Sequence, residues 1–200
     1  MDKPMSFDDI LKCFTDLMYK MRSLFNLYNS SLVVAEGERD NVSTYYEQLV
    51  DCKDSLQMIT TDLSILKKSE RVEAFSRYKA KIARIDKEVD DAHKNFNASR
   101  KNYDNALQQC GSYKTEYKHE FTELKEAFKS IHNANPQDTP RDAIKGYNNH
   151  VKLIRSIFDG IERLISDYNV KKNRMREDSD SFNTMYDSVS MMLERIQSIA

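Results

Sequence analysis

IKGYNNHVKLIRSIFDGIERLISDYNVKKNRMREDSDSFNTMYDSVSMMLERIQSIA, residues 144–200, places an apolar side chain at alternating steps of three and four from end to end. Ile144, Tyr147, Val151, Ile154, Phe158, Ile161, Ile165 and Tyr168 carry the first half of the stripe. Met175, Phe182, Tyr186, Val189, Leu193, Ile196 and Ala200 carry the second, and only Lys172 and Ser179 interrupt it. A mean step of 3.5 residues keeps these side chains on one line of an α-helix, so the pattern predicts a helix that buries a single seam along its length. Strands, whose faces alternate at every residue, do not produce such spacing.

The same stripe occurs twice more. It runs from Ile10 to Leu66 with Ser31 and Glu38 as its exceptions, and from Phe75 to Ile131 with Ser99 and Glu120. Each stripe is about 57 residues long, or roughly 85 Å of helix at 1.5 Å per residue. Hydrophobic residues make up only 40% of the chain, so the order is not a by-product of composition. Cys52 and Cys110 fall on the stripes, where cysteine acts as a small hydrophobe. Four glycines, three prolines and 32% charged residues fit long helices better than a compact α/β domain. The expectation is one all-α domain over 1–200, with helices at about 7–67, 70–132 and 140–199. Short connections make neighbouring helices antiparallel, giving an elongated three-helix coiled-coil bundle that dimerises.

The helix ends are marked unequally. Ser6 reads as an N-cap, with Asp8 and Asp9 in the first turn to favour the helix dipole. Lys67-Lys68-Ser69-Glu70-Arg71 holds neither Gly nor Pro, with Ser69 as its only turn signal. A tight hairpin and a stutter within one helix are both open there; the equal stripes favour the hairpin. His132 to Pro140 reads as a loop, closed by Thr139 as N-cap, Pro140 at the first helical position and Asp142 at the third.

Reflection through these turns gives a register, in which facing residues have numbers summing to about 140 and about 275. Glu38, Tyr103 and Lys172 then share one level. This predicts a structural polar layer of Glu38, Ser99, Tyr103 and Lys172, with a Glu38–Lys172 pair and Ser179 nearby; such pairs set register more than they stabilise. Glu120 reflects onto Arg155. Gly37, Gly111 and Gly160 are expected bends, since glycine weakens a helix by roughly 1 kcal/mol relative to alanine.

Function classes narrow next. Thirty-one basic and 32 acidic residues leave a net charge of −1, so any attraction to an anionic partner must be local. No apolar run of about 18 residues and no charged-then-apolar leader is present, which predicts a cytoplasmic protein, peripheral to membranes at most. Three cysteines fit a reduced compartment, and the Asn-x-Ser matches at Asn29, Asn41 and Asn97 fall within helical pattern. His93, His119, His132 and His150 form no zinc-type spacing, and the isolated glycines form no phosphate loop. A narrow seam also offers no catalytic pocket. No enzyme activity, no metal and no cofactor are expected.

What remains is charge clustering and apolar width. Lys67, Lys68, Arg71, Arg77, Lys79, Lys81, Arg84 and Lys87 face only Glu70, Glu73 and Asp86 in the same segment. Lys94 and Lys101 continue the face of Arg84 and Lys87, and Lys171, Lys172, Arg174 and Arg176 reflect to the level of Arg100 and Lys101. Lys67 to Lys101 in this series, with Lys171 and Arg174, form a candidate membrane- or anion-binding band. Nucleic acid is not expected, because Tyr78, Phe96 and Tyr103 belong to the stripe and leave no free stacking platform. Leu11, Met18, Phe25 and Leu32 make a second apolar lane on the first helix, wider than one seam needs. That lane predicts a dimer or hetero-oligomer interface.

Three long helices with Arg77-Tyr78-Lys79-Ala80-Lys81-Ile82, then Lys94-Asn95-Phe96 and Lys101-Asn102-Tyr103-Asp104-Asn105-Ala106-Leu107, resemble the BAR-domain superfamily, whose second helix has similar basic, aromatic and small residues. The resemblance implies a crescent-shaped dimer that binds curved anionic membranes. It places the turn between the first two helices near the dimer centre, residues 67–87 on the concave face and the 132–140 loop at the distal tip. The alternative is a coiled-coil subunit of a larger intracellular assembly (a tethering, cytoskeletal or chromosome-segregation complex) with no direct membrane contact.

Overall fold

A computed structural model describes residues 5–108 and 111–198, apart from the side chains at 107–108 and 111–112. It is all-helical: α1 spans Phe7–Ser64, α2 Lys68–Gln108, α3 Gly111–Ala134 and α4 Arg141–Gln197, with one turn of 3₁₀ helix at Pro136–Asp138. The second predicted helix is thus described in two parts, α2 and α3. Cys110, assigned to its stripe, lies outside the described residues, as does Ala200. The first and third predicted helices correspond to α1 and α4.

The chain ends of the helices use different residues from those expected in two of three places. At α1, Ser6 and Asp9 cap each other reciprocally: Asp9 N donates to Ser6 Oγ at 3.2 Å and Ser6 N to Asp9 Oδ2 at 3.0 Å. Between α1 and α2 the chain turns, so the hairpin reading holds. Its cap is Glu70, which accepts from Lys67 N at 3.1 Å, while Arg71 donates to the carbonyls of Leu66 and Ser64 that α1 leaves open. Ahead of α4 the Thr139 hydroxyl turns back into the loop, to Asn135 O and His132 Nδ1. The first helical bonds are accepted by Pro140 O, from Ala143 N and Ile144 N, so Thr139 ties the loop together instead of capping α4.

The chain divides into two compact units, residues 1–33 with 105–169 and residues 34–104 with 170–200. In the first, α3 runs antiparallel to α1: Phe7 meets Phe128 and Phe14 meets Phe121. It is also antiparallel to α4, where Phe128 stacks on Tyr147 and Phe121 tilts against Phe158. Helices α1 and α4 lie parallel, with Leu11 against Gly146, Thr15 bonded to His150 and Phe25 against Gly160. Ile10, Phe14, Leu17, Met21, Leu24, Ile154 and Ile161 form the buried centre.

In the second unit α2 runs antiparallel to α1, with Tyr78 Oη donating to Asp62 at 2.5 Å near the turn and Asn102 donating to Glu38 at 3.0 Å far from it. Phe96 and Phe182 stack at 4.0 Å between α2 and α4, about one helical turn from the His93–Tyr186 stack at 4.1 Å. Leu49, Leu56, Ile59, Leu63, Ile85 and Val189 fill the rest of this core. Both units therefore follow the predicted reflection.

The predicted stripe fails in α3. Phe121, Leu124 and Phe128 are buried, Glu120 is half-buried, and Tyr113 is 45% exposed. The true seam of α3 takes the residue after the predicted one at two of its steps.

A candidate anion-binding face and the cleft beside it

Heptad position decides what α2 shows to solvent. With Ile82, Ile85, Val89, Ala92 and Phe96 buried, Lys87, Lys94 and Lys101 recur every seventh residue directly opposite the seam, and all three are exposed. Lys79 and Lys81 are exposed on its flanks, as are Lys67 and Lys68 at its start. Among the described residues none of these lysines is in an ion pair.

The arginines of the same face are not free in this way. Arg77 pairs with Glu73 at 2.8 Å and Arg84 with Glu88 at 2.7 Å, each one turn along the helix. The Arg84 guanidinium is held above its ordinary pKa by the hydrogen bond and charge of Glu88. Arg71 is committed to the turn carbonyls. On α4, Lys171 pairs with Glu36, and Arg174 is exposed. The predicted band thus separates into exposed lysines, pre-neutralised arginines and groups spent on structure.

The polar layer also separates. Glu38 does not pair with Lys172. Its carboxylate accepts from Asn102 at 3.0 Å, from Asn41 at 3.3 Å, and from Ser99, which is buried. Burial raises its pKa, but these three hydrogen bonds outweigh it and leave the group below the ordinary 4.5. The ion pairs at this level are one and two residues away, Lys171 with Glu36 and Arg39 with Asp178 at 2.6 Å. In the first unit Glu120 likewise pairs with Lys20 at 3.1 Å and not with Arg155. The physical reason is common to both: a long cation at a helix flank reaches a carboxylate without dehydrating, whereas a seam pair must lose water on both sides.

Lys172 instead stands exposed on the rim of a cleft of about 420 Å³ between α2 and α4. Arg100, Asp104, Asn173, Arg176 and Asp180 complete the rim, over a floor of Tyr103, Met175 and Ser179. The cleft follows from the stripe's exceptions. A lysine that turns to water and a serine whose hydroxyl folds back onto Met175 O at 2.7 Å leave two α4 seam positions too small or too polar to fill the layer. Sequence reflection brought Lys172, Arg176 and Arg100 to one level; the cavity between them and the two carboxylates on its rim could not be read from spacing.

The apolar lane has an internal explanation. Leu11, Met18 and Phe25 are half-buried against the first unit's core and Leu32 is 5% exposed. Leu11 and Phe25 fill the space where α4 carries Gly146 and Gly160; a Cβ there would come within 3.3 and 3.1 Å of them. Leu11 and Phe25 of the lane thus pack against this chain's own α4. Large exposed apolar residues include Met58, Ile65 and Val72 around the α1–α2 turn, besides others such as Val33 and Met191.

Among the described residues no cluster of His, Cys, Asp or Glu is arranged to hold a metal, and no helix is long and apolar enough to cross a membrane. Cys52 is buried, and its thiol is pushed up to about 11 by burial, by the charges of Glu88 and Asp51 and by its hydrogen bond to Glu88.

No family model matches the chain, and no curated protein matches it. A solved structure described as a computationally designed three helix bundle is similar at 12% identity, covering 96% of this chain and 94% of that one, with a TM-score of 0.41.

Proposed function

We propose that this chain is a non-catalytic helical scaffold that binds anionic membrane surfaces through the basic face of α2, as the resemblance to the BAR-domain superfamily implies. The observation that carries the reading is the row Lys87, Lys94 and Lys101, exposed opposite the seam and unpaired among the described residues. Each lysine near an anionic surface contributes about 1 kcal/mol, and a row on one helix face can act at once. Lys67, Lys68, Lys79 and Lys81 extend the same field. Arg77 and Arg84, already neutralised by Glu73 and Glu88, contribute less.

Scaffolding by a curved surface needs two copies. Met58, Ile65 and Val72, at 63, 79 and 58% exposure, support self-association at the α1–α2 turn, where the resemblance puts the dimer centre. They equally favour the alternative, a subunit that docks a different helical chain there. Co-sedimentation with vesicles separates these readings. Membrane binding requires capture by phosphatidylcholine/phosphatidylglycerol vesicles at low salt, release at high salt and no capture by phosphatidylcholine alone. No capture at low salt would leave the docking subunit.

A further inference from the structure

The cleft of the second unit has an unusual charge pattern. Arg100, Lys172 and Arg176 bring three cations to one rim, and Asp104 and Asp180 bring two carboxylates. All five are exposed, and among the described residues none forms an ion pair with another group. Elsewhere in this unit Arg39 closes onto Asp178 and Arg84 onto Glu88. Here the opposite charges stand apart across about 420 Å³, within the range of small-molecule clefts. Buried Tyr103 and Ser179 form the floor, with Met175 as its apolar part.

Charge complementarity selects the occupant. A plain phosphate would satisfy the three cations but meet two carboxylates, and a plain cation would meet the reverse. A ligand with two anionic groups and one ammonium satisfies both sets, and its net charge of −1 balances the cleft's +1. We propose that this cleft binds a phosphodiester that also carries a carboxylate and an ammonium group, the chemistry of a serine phospholipid headgroup. Arg100, Lys172 and Arg176 take the phosphate and carboxylate, arginine offering paired donors to either. Asp104 and Asp180 take the ammonium. The inference extends the membrane reading, since Lys101 of the basic face neighbours Arg100 and a headgroup captured here would add selectivity to general attraction.

The test has a soluble arm and a vesicle arm. Titration calorimetry compares glycerophosphoserine with glycerophosphoglycerol, which lacks the ammonium and the carboxylate. Co-sedimentation compares phosphatidylcholine vesicles containing phosphatidylserine or phosphatidylglycerol at equal surface charge. The cleft predicts a preference of about fivefold for serine in both arms, the factor that about 1 kcal/mol provides. Asp104→Asn with Asp180→Asn should abolish that preference while retaining phosphatidylglycerol binding, and Arg100→Gln with Arg176→Gln should abolish glycerophosphoserine binding. Unchanged helical circular dichroism confirms that these surface variants fold. Equal affinity for the two soluble compounds, or a preference that survives both double variants, overturns the proposal. Capture of glycerophosphoserine without vesicle binding would keep the cleft, assign it to the free compound and refute the membrane reading alone.

Discussion

Glu38 is half-buried at a seam position where, Ser31 aside, the other α1 side chains are apolar, and it is tolerated because Ser99, Asn102 and Asn41 all donate to it. A carboxylate whose folded pKa lies below its ordinary value adds stability that is fully present above that value and is lost as pH falls through the folded one. Glu38→Gln should therefore destabilise the protein at neutral pH by about 1–2 kcal/mol, the scale of charged hydrogen bonds. The difference from the parent should shrink below the ordinary 4.5. Urea unfolding at several pH values reads this, and a difference independent of pH would contradict it. Glycines give a second contrast. A Cβ at Gly37 would meet nothing within 4 Å, whereas one at Gly160 would press on Phe25 at 3.1 Å. Gly37→Ala should stabilise by about 0.5–1 kcal/mol, and Gly160→Ala should fall short of it. Equal gains in thermal unfolding would show that Gly160 is not there for packing.

Among the elements, α1 and α4 were legible because their stripes hold one phase over their whole length. The start of α1 was legible too, since Ser6 and Asp9 form a standard capping pair. The segment α3 was not. Its sequence carries two apolar ladders one residue apart, with Phe121 and Phe128 on one and Glu120 and Ala127 on the other, and a strict heptad count chooses the wrong one. Volume decides between them: the phenylalanines displace far more water than an alanine and a glutamate. Phe121→Ala should cost about 3–5 kcal/mol, while Glu120→Ala should cost within about 1 kcal/mol, since it removes only the Lys20 surface pair. Chemical denaturation of the two variants distinguishes them, and comparable losses would restore the uninterrupted heptad. The polar layer failed for a related reason. Reflection gives the level of a residue along a helix but not its angle around it. Glu38 and Lys172 therefore share a level and find different partners.

At the scale of the whole molecule a net charge of −1 conceals a local arrangement: lysines that recur opposite the α2 seam, and arginines beside them that are paired off. Composition could show the excess; only the structure shows which cations remain available and that the cleft beside them collects both signs. On the proposed function it is position, not net charge, that would direct this chain to anionic membrane. The direct test is vesicle co-sedimentation of two variants with the same charge change, Lys87, Lys94 and Lys101 to Glu on α2, and the exposed Lys12, Lys118 and Lys129 to Glu in the first unit. The α2 variant should lose about a hundredfold or more in affinity for phosphatidylglycerol-containing vesicles at low salt, with the other variant much closer to the parent. Equal losses in the two variants would contradict it.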